Sequence, residues 1–66
     1  MTKREIISRV LFGSDHNAAH LSALARACGV SYSTMHRWRE NPYLIPLGKL
    51  LRIARLRGVS LEELEI

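Results

Sequence analysis

Apolar residues recur at intervals of three and four almost from end to end, and no run alternates with period two for long enough to predict a strand. The pattern therefore predicts helices. The first runs from about Thr2 to Phe12, with Ile6, Ile7, Val10 and Leu11 on one apolar face and Lys3, Arg4 and Arg9 pointing elsewhere. Thr2 and Glu5 have the spacing of a capping box, in which each side chain satisfies a backbone N–H left free at the helix start. Gly13 to Asn17, "GSDHN", supplies the turn residues that break it. The second helix runs from about Ala18 to Cys28, with Asn17 as its expected N-cap. Leu21, Leu24, Ala25 and Cys28 fall at i, i+3, i+4 and i+7 and make one buried stripe. Gly29 follows at once, suited to the left-handed residue that closes a helix.

Ser31 is placed to cap a third helix of about nine residues, and Asn41-Pro42 ends it because the residue before a proline avoids the α region. At 100° per residue Met35 and Trp38 share one side, while Ser33, His36, Arg37 and Glu40 centre on the other, with Tyr32 and Thr34 on the flanks. After the loop "NPYLI", Pro46 opens a fourth helix that reaches Arg57, since proline is tolerated in a first turn. Leu47, Leu50, Leu51 and Ala54, joined by Ile53 and Leu56, are expected in the core, and Lys49, Arg52, Arg55 and Arg57 in water. Gly58 stops that helix, and Ser60 with Glu63 caps a short fifth one carrying Leu61 and Leu64. The expected fold is all-α: a compact bundle of about five short helices forming a single domain over residues 1–66, with a helix-turn-helix at its centre.

Composition narrows what such a bundle can do. Hydrophobic residues make up 47% of the 66, too many for a disordered chain. Cys28 is the sole cysteine, so neither an intrachain disulfide nor a cysteine-based zinc cluster is available, and it reads as a small buried hydrophobe in a reducing compartment. His16 and His20 are four apart but lack a third ligand, so no metal is expected. No apolar run approaches a membrane span or a signal-peptide core, and the expected location is cytoplasmic, in a bacterial cell or a phage-infected host. The net charge of +4 is unevenly spread. Glu62, Glu63 and Glu65 hold half of the acidic side chains, leaving ten basic against three acidic, a net +7, over residues 1–59. Such an excess attracts polyanions, of which nucleic acid is the commonest inside cells.

The polar side of the third helix suits that partner. Arg37 can form a bidentate pair with guanine, His36 can donate to a guanine or a phosphate, Ser33 bonds either base type, and Tyr32 can reach a phosphate or pack on a thymine methyl. Ser31 and Thr34 suit the DNA backbone, and so does Arg39. Asn41, Tyr43 and Lys49, in the following loop and the next helix, are placed to touch phosphates and set register. Met35 and Trp38 read as core. Arg52, Arg55 and Arg57 read as a solvated face.

Ala25 stands four positions before Gly29, where the two helices cross closely, and Leu24, Cys28, Val30, Met35 and Trp38 fill the positions that must be apolar to fix the crossing. With "LARACGVSYSTMHRW" followed by "IPLGKLLRIARLRGVSLEEL", the chain resembles the phage lambda repressor and Cro-like (XRE-type) helix-turn-helix family over roughly Leu21 to Leu64; the first helix matches only in pattern. The resemblance implies a sequence-specific DNA-binding regulator of transcription, repressor-like and of phage, prophage or bacterial origin. It implies residues 31–40 in the major groove of double-stranded DNA, binding as a homodimer, no cofactor and no catalysis. Leu61, Leu64 and Ile66, near the C-terminus, are the expected dimer contacts. The family often places glutamine at the first position of the second helix, where it binds a phosphate; here that position is Leu21. Either the helix begins a turn earlier, near Ala18, or Ser22 and the helix N-terminus serve that phosphate.

Nothing in the sequence marks a nucleophile–base pair, a phosphate-binding glycine loop, paired carboxylates or a small-molecule site. Two other classes compete. One is a protein-interaction module such as an antirepressor or antitoxin, in which Arg37 would be dispensable. The other is a MerR- or excisionase-like winged module, which needs a β-hairpin where "PLGKLLRIARLRGVSLEEL" reads as helix.

Overall fold

A computed structural model describes residues 1–13 and 18–65. Four α-helices follow in order: α1 (Lys3–Phe12), α2 (Ala18–Cys28), α3 (Tyr32–Glu40) and α4 (Leu47–Arg57). A 3-10 turn, Pro42–Leu44, links α3 to α4, and a second, Leu61–Leu64, follows α4. The fifth helix expected from the sequence is a single 3-10 turn, and Glu63 accepts the Ser60 N–H at 2.7 Å as the capping box requires. No strand occurs among the described residues, and the stretch where a winged module would carry its hairpin is α4. The turn at residues 14–17, the Asn17 cap and His16 of the His16–His20 pair lie outside the described residues, as does Ile66.

Local chemistry sets the boundaries. Thr2 accepts the Glu5 N–H at 3.2 Å while the Glu5 carboxylate takes the Thr2 hydroxyl at 3.1 Å, so the capping box starts α1 as expected. The Thr2 backbone N–H and then its hydroxyl hold the Glu5 carboxyl below its ordinary value. The ionised form therefore favours the folded chain. That contribution is complete above the ordinary carboxylate range and is lost as pH falls through the depressed value. In Glu5→Gln the acid side of the curve of melting temperature against pH is expected to flatten; an unchanged curve would show that the cap does not couple to folding.

The ends of α2 and α4 repeat one solution. Gly29 and Gly58 both have φ of +70°, a left-handed conformation open to glycine. At the first, the Val30 N–H bonds the Ala25 carbonyl at 3.0 Å and the Gly29 N–H the Arg26 carbonyl at 3.2 Å. At the second, Val59 bonds Ala54 at 2.8 Å and Gly58 bonds Arg55 at 3.2 Å. This is the paired bond pattern of a Schellman motif, and in each case the valine after the glycine packs against the core.

Each helix contributes one wholly buried large side chain: Leu11, Leu21, Met35 and Ile53. Around them lie Phe12, Leu24, Ala25, Cys28, Trp38, Ile45 and Ala54. The α2 stripe and the Met35–Trp38 pair are thus buried as the spacing predicts. The face of α4 is not. Leu47, Leu51 and Leu56 are exposed, at 69%, 43% and 49%, and the inward face is Leu50, Ile53, Ala54 and Arg57, spaced i, i+3, i+4, i+7. Nor do all the cations of α4 stay in water. Arg57 donates from Nε to the Leu11 carbonyl at 3.0 Å and from Nη1 to His20 Nε2 at 2.7 Å, tying together α1, α2 and α4.

Candidate nucleic-acid interface

The corner between α2 and α3 is closed on every side. The last four carbonyls of α2 have no partner within the helix and must find one elsewhere. The turn takes those of Ala25 and Arg26, while Arg52 Nε reaches the Ala27 carbonyl at 3.1 Å and Lys49 Nζ the Cys28 carbonyl at 2.8 Å. Two cations at a helix C-terminus also complement its partial negative charge. Lys49, expected on a phosphate, and Arg52, expected in solvent, thus brace the helix that precedes α3. Burial pushes the Cys28 thiol up, against the opposing pull of Lys49 and Arg52, which leaves it protonated at neutral pH.

Ser31 starts α3 from an extended conformation. Its Oγ accepts the Thr34 N–H at 3.2 Å, donates to Thr34 Oγ1 at 2.9 Å and lies 3.2 Å from Ser33 Oγ. Ser31 and Thr34 are thus engaged in the cap, and Thr34 is half-buried. Beyond the cap the two sides of α3 separate. Met35 is 0% and Trp38 7% exposed, while Tyr32, Ser33, Arg37 and Glu40 are exposed and His36 is half-buried. The Tyr32 and His36 rings lie 6.2 Å apart at 34°, one turn from each other. That contact limits the rotamers of both side chains before any ligand arrives. The result is a polar ridge with a rigid back.

The C-terminal end of α3 is held by other elements. The Ser8 hydroxyl of α1 donates to the Arg39 carbonyl at 2.6 Å, and the Asn41 N–H bonds the Arg37 carbonyl at 2.9 Å. Asn41 Oδ1 accepts the Tyr43 N–H at 3.2 Å, which leaves its amide donors free to face outward. Arg39 is half-buried and Tyr43 exposed.

Of the residues selected from sequence, Tyr32, Ser33, His36 and Arg37 share the outer side of one helix, and Asn41 and Tyr43 extend it at its C-terminal end. Lys49 sits at the opposite end of the motif, beside the end of α2. Helix α2 begins at Ala18, a turn before Leu21, and Leu21 is buried; Ser22 is half-buried in the following position. The early start of that helix is as the first alternative has it. The structure also brings together residues that no spacing links: Thr2, Lys3 and Arg4, from the start of α1, share an open cleft of about 300 Å³ with Asn41 and Tyr43. Nearly forty positions separate the two groups, and only the packing of α1 on the end of α3 joins them.

Among the described residues no cluster of three or more His, Cys, Asp or Glu side chains could hold a metal ion, and no helix is long and apolar enough to cross a membrane. The family model of the Cro/C1-type HTH DNA-binding domain matches residues 14–66, leaving α1 outside the match. No curated protein and no solved structure matches the chain.

Proposed function

Because the chain belongs to the Cro/C1-type helix-turn-helix DNA-binding family, we propose that it is a sequence-specific regulator of transcription, repressor-like and of phage, prophage or bacterial origin. It acts as one domain over residues 1–66, by binding and without catalysis, in the cytoplasm of the cell that holds its operator. The observation that carries this reading is the polar ridge of α3: exposed Tyr32, Ser33 and Arg37, and half-buried His36, backed by buried Met35 and Trp38. A helix presented this way fits a major groove about 12 Å wide. Arg37 pairs with guanine, His36 and Ser33 bond neighbouring base edges, and Tyr32 packs on a methyl or reaches a phosphate. Asn41, Tyr43 and the cap at Ser31, with Thr34, Arg39, Ser22 and Lys49 near the backbone, set the register.

The DNA-bound form is a homodimer. The described residues extend 28 Å along their longest axis, short of the ~34 Å between half-sites one helical turn apart, so two copies are needed to read both. Leu61 is exposed and remains a dimer contact; Leu64 packs against the core and is withdrawn from that role. The exposed Leu47, Leu51 and Leu56 add apolar surface that a second copy can cover. Arg52 and Arg55 lie beside Leu51 and Leu56 and give that face a positive rim.

Selection of bound sites from random duplex DNA, repeated at several salt concentrations, tests the proposal. A symmetric motif is expected, with affinity falling steeply as salt rises because binding releases counterions. Sedimentation at the same protein concentrations is expected to show the dimer. Equal affinity for every duplex, or none, would overturn the regulator; a specific but asymmetric motif with a monomeric protein would overturn the dimer alone.

A further inference from the structure

We propose that the first turn of α1 is a second backbone clamp, in which Lys3 and Arg4, together with Asn41 and Tyr43, grip two successive DNA phosphates just beyond the C-terminal end of α3. The inference rests on the reading of the chain as a DNA-binding regulator and adds a contact outside the 14–66 stretch that carries the family match.

Three observations converge on it. The first is the lining. Thr2, Lys3, Arg4, Asn41 and Tyr43 surround one open cleft, and the free groups of the last four are donors: an ammonium, a guanidinium, an amide NH₂ and a phenol. The Asn41 oxygen is already occupied by the Tyr43 N–H, so the amide presents its donors. The second is charge. Glu5, the acid of that first turn, is turned back into the cap, where the Thr2 N–H and hydroxyl hold it at 3.4 and 3.1 Å. Lys3 and Arg4 are exposed. A donor-lined cleft with two cations takes an anion, and its open form suits a strand running through it better than an enclosed small molecule. The third is placement. The 2.6 Å bond from Ser8 to the Arg39 carbonyl fixes α1 to the end of α3, so the two cations travel rigidly with the recognition ridge. The clamp therefore lengthens the contact along the strand that Asn41 and Tyr43 begin.

The test is the salt dependence of DNA binding by the full chain carrying Lys3→Gln and Arg4→Gln. Fluorescence anisotropy is measured on a selected site and on a random duplex. Each phosphate contact contributes about 0.9 to the slope of log K against log salt, so the double variant is expected to show a slope shallower by about two units. Between 50 and 200 mM salt the wild type then loses about tenfold more affinity than the variant. The loss of affinity is expected to be equal on both duplexes, with sequence preference and melting temperature unchanged because both side chains are exposed. An unchanged slope in a variant that still prefers the selected site overturns the clamp and leaves the regulator standing. A change in sequence preference also overturns it, since a backbone contact carries no base information. A wild type without any sequence preference ends both.

Discussion

Trp38→Ala is expected to remove a large share of the chain's stability. The indole is 7% exposed in the core between α3 and the rest of the bundle, and truncating such a side chain costs about 3–5 kcal/mol. A chain of 66 residues has roughly 3–10 kcal/mol of total stability, so this single change removes up to all of it. Far-ultraviolet circular dichroism followed with temperature is the measurement: the variant should lack a cooperative helical transition or show it far below the wild type. Trp38→Phe, which keeps an aromatic ring in the same space, should recover much of the loss. A melt for Trp38→Ala close to that of the wild type would show that the indole does not hold α3 in place, and the rigid ridge would lose its physical basis.

Arg37→Ala is expected to do the opposite, keeping the fold and losing a letter of the recognised sequence. Its side chain is exposed and its removal should change stability by no more than about 0.5 kcal/mol. A bidentate pair with guanine is worth roughly 1–3 kcal/mol of discrimination, or about 5- to 150-fold at one base pair. Site selection with the variant should give the wild-type motif with one position per half-site relaxed, while affinity for random DNA falls only by the loss of one charge. If every position keeps its preference, Arg37 lies outside the groove. If binding to all sequences falls alike, it is a phosphate contact.

The helix boundaries were legible because short-range chemistry writes them: Thr2 with Glu5, Ser31 before its helix, Gly29 and Gly58 after theirs. So was the ridge, because α3 has only two large apolar residues after Val30, Met35 and Trp38, and they leave one choice of inward face. Helix α4 offered no such choice. Leu47, Leu50, Leu51, Ile53, Ala54 and Leu56 surround it, and several phases satisfy the hydrophobic pattern equally. What separates them is non-local. Lys49, Arg52 and Arg57 find carbonyls on α2 and α1, and a helix rotated to bury Leu47 and Leu51 would forfeit those bonds. The partners are backbone atoms of Cys28, Ala27 and Leu11, which have no residue signature, so no inspection of residue types could reveal them. The cleft that joins Lys3 and Arg4 to Asn41 and Tyr43 was hidden for a related reason: it exists only after α1 has docked.

The three cationic struts from α4 also divide labour within the motif. The bonds that fix the end of α2 come from the turn and from α4, and the exposed side chains of Tyr32 and Arg37 take no part in them. On the proposed readout, substitutions there would change the recognised sequence while leaving the fold in place. The four side chains Tyr32, Ser33, His36 and Arg37 can then be exchanged together while the framework that holds α3 stays as it is.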